Sequence, residues 1–215
     1  GSTATISGNT LTDGGPIGVF DLSAPLIEAN TLTGGPHIWG GYGDGAVIRG
    51  NTIDGSFVRA IFVRNPAAMT IDGNTISNPG PNGLEVRGGP ITVVDNSISG
   101  ASVAAVSVSG RGEATVRGNQ LQDNGVGISW SADEGVIEQN AVNGNKAGIV
   151  ISTGSPIVRD NSVKGSDARG IAVLALAAPV LSGNTSCGNG ENLHIVDLAT
   201  PQDDGTNEIC EDTAE

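Results

Sequence analysis

Apolar positions along this chain fall into a motif that returns nine times, each time around an asparagine. The asparagines are Asn9, Asn30, Asn51, Asn74, Asn96, Asn119, Asn140, Asn161 and Asn184, spaced by 21, 21, 23, 22, 23, 21, 21 and 23 residues. Three residues before each stands an aliphatic side chain: Ile6, Ile27, Ile48, Ile71, Val93, Val116, Ile137, Val158 and Leu181. Two residues after it stands another (Leu11, Leu32, Ile53, Ile76, Ile98, Leu121, Val142, Val163), with Ser186 as the exception. An unbroken strand, with its period of two, would send two positions an odd number apart to opposite faces. Both reach one core only if the chain bends between them. The Asn is the expected bend, because it tolerates the left-handed backbone region. Gly precedes it at Gly8, Gly50, Gly73, Gly118 and Gly183. An amide at this corner can also bond its counterpart in the next repeat, forming a ladder.

A third apolar pair follows in each repeat: Ile17/Val19, Ile61/Val63, Leu84/Val86, Val106/Val108, Ile128/Trp130, Ile149/Ile151, Ile171/Val173 and Leu193/Ile195, with the second repeat irregular at Ile38. Alternation of this kind predicts a strand with one buried face. A strict period of this length marks a solenoid. The pattern thus predicts an all-β solenoid of about nine to ten coils with three short strands per coil, successive coils stacking in parallel about 4.8 Å apart. Here the chain resembles the right-handed parallel β-helix proteins of the pectin-lyase-like superfamily, most closely the short Asn-Thr-Ile repeats of NosD-like, carbohydrate-associated solenoids. The resemblance covers residues 3 to about 210 and implies a fold rather than an activity.

Composition fits: 34 Gly and 3% aromatic residues suit many tight turns around stacked aliphatics. No segment carries a helical apolar stripe, and the longest largely apolar run, Ile171 to Leu181, contains Pro179 and is too short to span a membrane. Gly1-Ser2 reads as a cloning remnant, residues 3–210 as one β-helix domain and residues 211–215 as an acidic tail. Coil 1 opens at Thr3 without a capping helix, so further coils upstream are expected of the native protein. The net charge of −13 argues against nucleic acid and anionic membrane as partners. No cofactor or metal set is evident, since the paired acids Asp203-Asp204 and Glu211-Asp212 fall in the terminal segment.

The two cysteines, Cys187 and Cys210, each lie three residues after an Asn, Asn184 and Asn207, themselves 23 residues apart. They therefore occupy one corner of successive coils, at a separation a disulfide can bridge. A Cys187–Cys210 bond points to a secreted or periplasmic protein.

Catalysis finds little support. Polysaccharide hydrolases and lyases that the resemblance brings in gather carboxylates on one outward face. The comparable positions here are Gly18, Trp39, Phe62, Glu85, Ser107, Ser129, Val150, Ala172 and His194, of which one is acidic. Asp21 and Asp44 lie three and two coils from Glu85, about 14 and 10 Å along the axis. Glycoside hydrolysis asks for carboxylates about 5 to 9.5 Å apart. Serines on this face have no His beside them, and Trp130 reads as a core filler. Ice binding is a further alternative, from outward Thr10, Thr31, Thr52 and Thr75, but the row decays to Ser97, Gln120, Ala141 and Ser162.

The favoured reading is a non-catalytic β-helical surface or binding module of a secreted protein, with carbohydrate or a protein as partner. Its expected ligand face is the outward side of coils 2 to 4, with Trp39, Phe62, Arg64, Glu85 and Arg87, and with the Tyr42 loop as a wall. Arg64 and Arg87 both stand thirteen residues after their Asn and should stack one coil apart as a solvated pair steadied by Glu85. Exposed rings would offer platforms to sugar faces and the arginines would hold a carboxylate, which suits an acidic polysaccharide. The competing placement turns Trp39 and Tyr42 inward to fill coil 2.

Overall fold

The computed structural model of the chain describes residues 3–20, 23–35, 37–41 and 44–212. Its strands form two parallel sheets of 17 and 10 strands, wound as a β-solenoid. Coil 4 shows the unit: Ala68–Asp72 leads to the corner at Asn74, Thr75–Ser77 leaves it, and Asn82–Arg87 completes the turn. In coils 5 to 7 the third strand of one coil runs unbroken into the first of the next, as Ala104–Arg117 and Val126–Glu138. This continuity joins two of the three strand columns into the 17-stranded sheet. The core is the expected stack, with Ile27, Ile48, Ile71, Val93, Val116, Ile137 and Val158 wholly buried in one column. Trp130 is buried with it, its indole N–H donating to Ala132 O at 3.0 Å. Coil 2 lacks a second aliphatic residue because Gly40 stands there, and the Met69 side chain takes up the space a side chain would fill.

The corner corrects one expectation. The left-handed residue is the one before each Asn: Gly8, Ala29, Gly50, Gly73, Asp95, Gly118, Gln139, Asp160 and Gly183 all have positive φ, and none of the ladder asparagines does. The bend thus belongs to the preceding residue, and the Asn is freed to turn its amide inward. From Asn30 to Asn207 each Oδ1 accepts two bonds from the previous coil's Asn, from Nδ2 at 2.8–3.0 Å and from the backbone N–H at 2.9–3.1 Å. The ladder runs without a gap from Asn9 to Asn207. Nδ2 also donates backwards, as from Asn51 to Ile27 O at 3.0 Å. One amide therefore ties three coils and leaves no buried donor idle, which matters because each orphan would cost about 1–3 kcal/mol.

A second corner follows four residues after each Asn, again at positive φ: Asp13, Gly34, Gly55, Asn78, Gly100, Asp123, Gly144, Gly165 and Gly188. The next residue again faces inward and builds a partial second ladder. Asn124 donates from its N–H and its Nδ2 to Asn145 Oδ1 at 2.9 and 3.0 Å, and Ser166 N–H donates to Asn189 Oδ1 at 2.8 Å. Ser186, the exception in the apolar pattern, is buried here, its hydroxyl donating to Asn192 O at 2.7 Å and accepting from Asn189 Nδ2 at 3.2 Å. Ser166 Oγ is the rung without a partner.

Two outcomes follow from these ladders. Asn119→Ala removes the acceptor of the Asn96 N–H and of one Asn96 Nδ2 bond, together with the amide's own donations to Val93 O, Arg117 O and Asn140 Oδ1, and should lower unfolding free energy in urea by roughly 3 kcal/mol. Ser166→Asn places an amide between Asn145 and Asn189 and should raise stability by about 1 kcal/mol in the same measurement.

Candidate functional site

The outward row falls as expected, with Gly18, Trp39, Phe62, Glu85, Ser107, Ser129, Val150, Ala172 and His194 paired in register from coil to coil. Ala172 departs from it in exposure, being buried. His194 is half-buried, with Nδ1 2.8 Å from Glu191. Trp39 stands edge-on to Phe20, ring centroids 4.7 Å apart, and is not part of the core. Tyr42 and Asp21 lie outside the described residues.

Glu85 is 6% exposed, although it sits on the outer side of its strand. Its cover is made of charge: Arg87 Nη2 lies 2.6 Å from one carboxylate oxygen and Arg59 Nε 3.2 Å from the other, which Asn82 Nδ2 also approaches at 3.4 Å. Both guanidinium groups lie over the Phe62 ring, at 4.4 Å for Arg59 and 5.5 Å for Arg87. This arrangement changes the expected pair. Arg64 and Arg87 are aligned in register, but Glu85 holds Arg87 and Arg59, and Arg64 is exposed with no ion pair among the described residues. Among the described residues, three guanidiniums stand against one carboxylate here, on a chain of net charge −13.

Arg59 was not legible from alternation, which puts positions 59, 61 and 63 on one inward face. Within the strand Arg59–Arg64 the alternation breaks at Ala60: Ala60 and Ile61 are both buried, and Arg59 is partly exposed beside Glu85. The same break recurs at Gly83, where an added Cβ would lie 2.6 Å from Ala105 O. The sequence signal was the column of small residues Ala60, Gly83, Ala105, Gly127, Gly148 and Gly170 just ahead of the third apolar pair.

Beside this cluster, His37, Trp39, Val58, Arg59 and Phe62 line an open cavity of about 270 Å³. Phe57, the neighbour of Val58, is 80% exposed. The cavity joins an apolar wall to the Arg59 guanidinium, and among the described residues no carboxylate lines it. On the opposite part of the coil, Thr10, Thr31, Thr52 and Thr75 form an exposed row in register. In the row beside it, Thr12 and Thr33 give way to Asp54, whose carboxyl is held below the usual range by hydrogen bonds from Ser77 and then Asn78. An ionised group therefore interrupts the threonine array in the third coil.

The cysteines meet as expected: Cys187 and Cys210 are disulfide-bonded with Cα atoms 4.9 Å apart. Glu208 lies close to both sulfurs, but bonded sulfurs are not available as metal ligands.

A stacked, all-parallel solenoid of this kind defines the β-helix class. The chain matches the family model for the right handed beta helix region over residues 1–102 and again over 37–186. It therefore belongs to that family, in accord with the pectin-lyase-like superfamily. No curated protein matches it.

Glu85→Gln removes the charge that holds Arg59 and Arg87 while keeping the side chain's shape. It should lower unfolding free energy in urea by about 2 kcal/mol, since Arg59 is left largely buried without its counter-ion.

Proposed function

We propose that the protein is a non-catalytic β-helical binding module of a secreted protein, and that its ligand is an acidic carbohydrate held on the outer face of coils 2 to 4. The observation that carries this reading is the junction of an aromatic-lined cavity, with Trp39 and Phe62 in its wall, and the Arg59–Glu85–Arg87 cluster. A sugar ring offers an apolar face to Trp39 and Val58, and its carboxylate meets guanidinium donors that are already oriented. Preorganisation matters for affinity, because side chains already held in place lose little entropy on binding. Arg64, without an ion pair among the described residues and in register with Arg87, extends the cationic side of the face. The disulfide supports an oxidising compartment for the protein, as in secreted proteins.

The reading disfavours cleavage on this face. Glu85, the single acidic member of the outward row, is already bound to two arginines and is inaccessible as a general acid or base.

Titration calorimetry with an oligogalacturonate should show binding that a neutral cello-oligosaccharide of equal length does not. Trp39→Ala and Arg64→Ala should each weaken it by roughly tenfold, a loss of about 1.4 kcal/mol, with circular dichroism unchanged. Wild-type protein that ignores the acidic oligosaccharide, or variants that bind as well as wild type, would rule this face out.

A further inference from the structure

The last described coil, Gln202 to Asp212, carries few apolar side chains. From Gln202 to Asp212 it contains no fully buried residue, and its two strands, Gln202–Asp203 and Glu208–Ile209, are two residues each. Ile209 and Cys210 are its only apolar side chains, whereas Asp203, Asp204, Glu208, Glu211 and Asp212 put five carboxylates on it. Yet it covers Leu181, Asn184 and Ser186, all buried. Four amides hold it by backbone hydrogen bonds to coil 9: Gln202 to Pro179 O, Asp204 to Leu181 O, Glu208 to Asn184 O and Cys210 to Ser186 O, at 2.8, 3.4, 2.7 and 3.1 Å. Asn207 supplies the final ladder rung, and Asp212 accepts from Asn192 N–H at 2.8 Å. Elsewhere in the rod, burial of aliphatic side chains is the main adhesive between coils. Here that contribution is nearly missing, and five like charges oppose docking.

We infer that the Cys187–Cys210 disulfide is a redox lock on a detachable coil: reduction releases residues 202–212 as a unit and bares the coil 9 edge, while coils 1 to 9 stay folded. The inference is independent of the ligand proposed above. In the chemical step a dithiol gives two electrons and two protons to the S–S bond, yielding the two thiols, and is itself oxidised to a disulfide. Freed of the 23-residue closure, the segment regains the chain entropy the bond had removed. Release exposes the unpaired strand Thr185–Cys187 and the last buried rungs of the ladder, so the coil 9 edge becomes available for pairing.

Hydrogen exchange read by mass spectrometry tests this on the intact chain, oxidised and after treatment with dithiothreitol. Reduction should speed exchange at Glu208 and Cys210 about a hundredfold. The amides of Ser162 and Thr185, which donate to coils 7 and 8, should stay protected. The variant Cys187→Ser/Cys210→Ser should behave like reduced protein without any reductant. Unchanged exchange at Glu208 and Cys210 in both samples would overturn the lock. So would loss of protection that spreads to Ser162 and Thr185, because the bond would then staple the whole rod.

Discussion

The constraint on which the structure depends is the three-residue strand held between two left-handed corners. At one corner the residue before the ladder Asn carries the bend, and at the other the residue four after it does. Because this distance never varies, every coil presents the same inward positions at the same angle. Ladder rungs then form at hydrogen-bond distance even though coil length ranges over 21 to 23 residues. Length variation is absorbed outside the clamped segment, in the turns around the third strand. A bend that drifted by one residue would move the aliphatic pair to the outside and strand the amide in an apolar core, at a cost in both terms.

This explains how much was legible. An aliphatic residue at a fixed place on each side of an Asn is a linear pattern, so the coil number, the core columns, the ladder and the disulfide could all be read by counting. What could not be counted was where the chain turns without a distinctive residue. Ala29 and Gln139 occupy left-handed positions that their chemistry does not favour. They are there because neighbouring coils impose the register. The attribution of the bend to Asn itself failed for the same reason: Gly before Asn was visible in five repeats, and the four without it hid the rule.

The candidate site was half legible. Strand alternation put Trp39, Phe62 and Glu85 on one outer row, and the stack bears this out. It could not show that the row would cover itself. Arg59 reaches the row only because the alternation breaks at Ala60, and once there it joins Arg87 in covering Glu85 and Phe62. A reading that took Phe62 as a bare platform therefore overstates the exposed aromatic surface. Trp39 is partly exposed in the cavity wall, beside His37 and Val58 and edge-on to Phe20.

In-register parallel stacking also disciplines charge. Each outward position meets its equivalent about 4.8 Å away, so like charges on a column repel along the rod. The column Glu28–Arg49–Asp72 alternates in sign, as does Arg117–Glu138–Arg159, with ion contacts at 2.8 Å for Arg49–Glu28 and 2.6 Å for Arg159–Glu138. Two steps break the alternation: Glu113 against Glu134, and Arg64 against Arg87. In water either repulsion is only about 1 kcal/mol, so tolerance alone explains the exposed glutamates. The arginine step differs because a nearly buried carboxylate lies beside it and draws Arg87 away from Arg64. That geometry uses Glu85 to hold two cations at the surface, a role that an apolar replacement of the whole cluster would not need for the fold. The cationic face kept in this way, on a chain of net charge −13, is the feature on which the proposed anionic ligand rests.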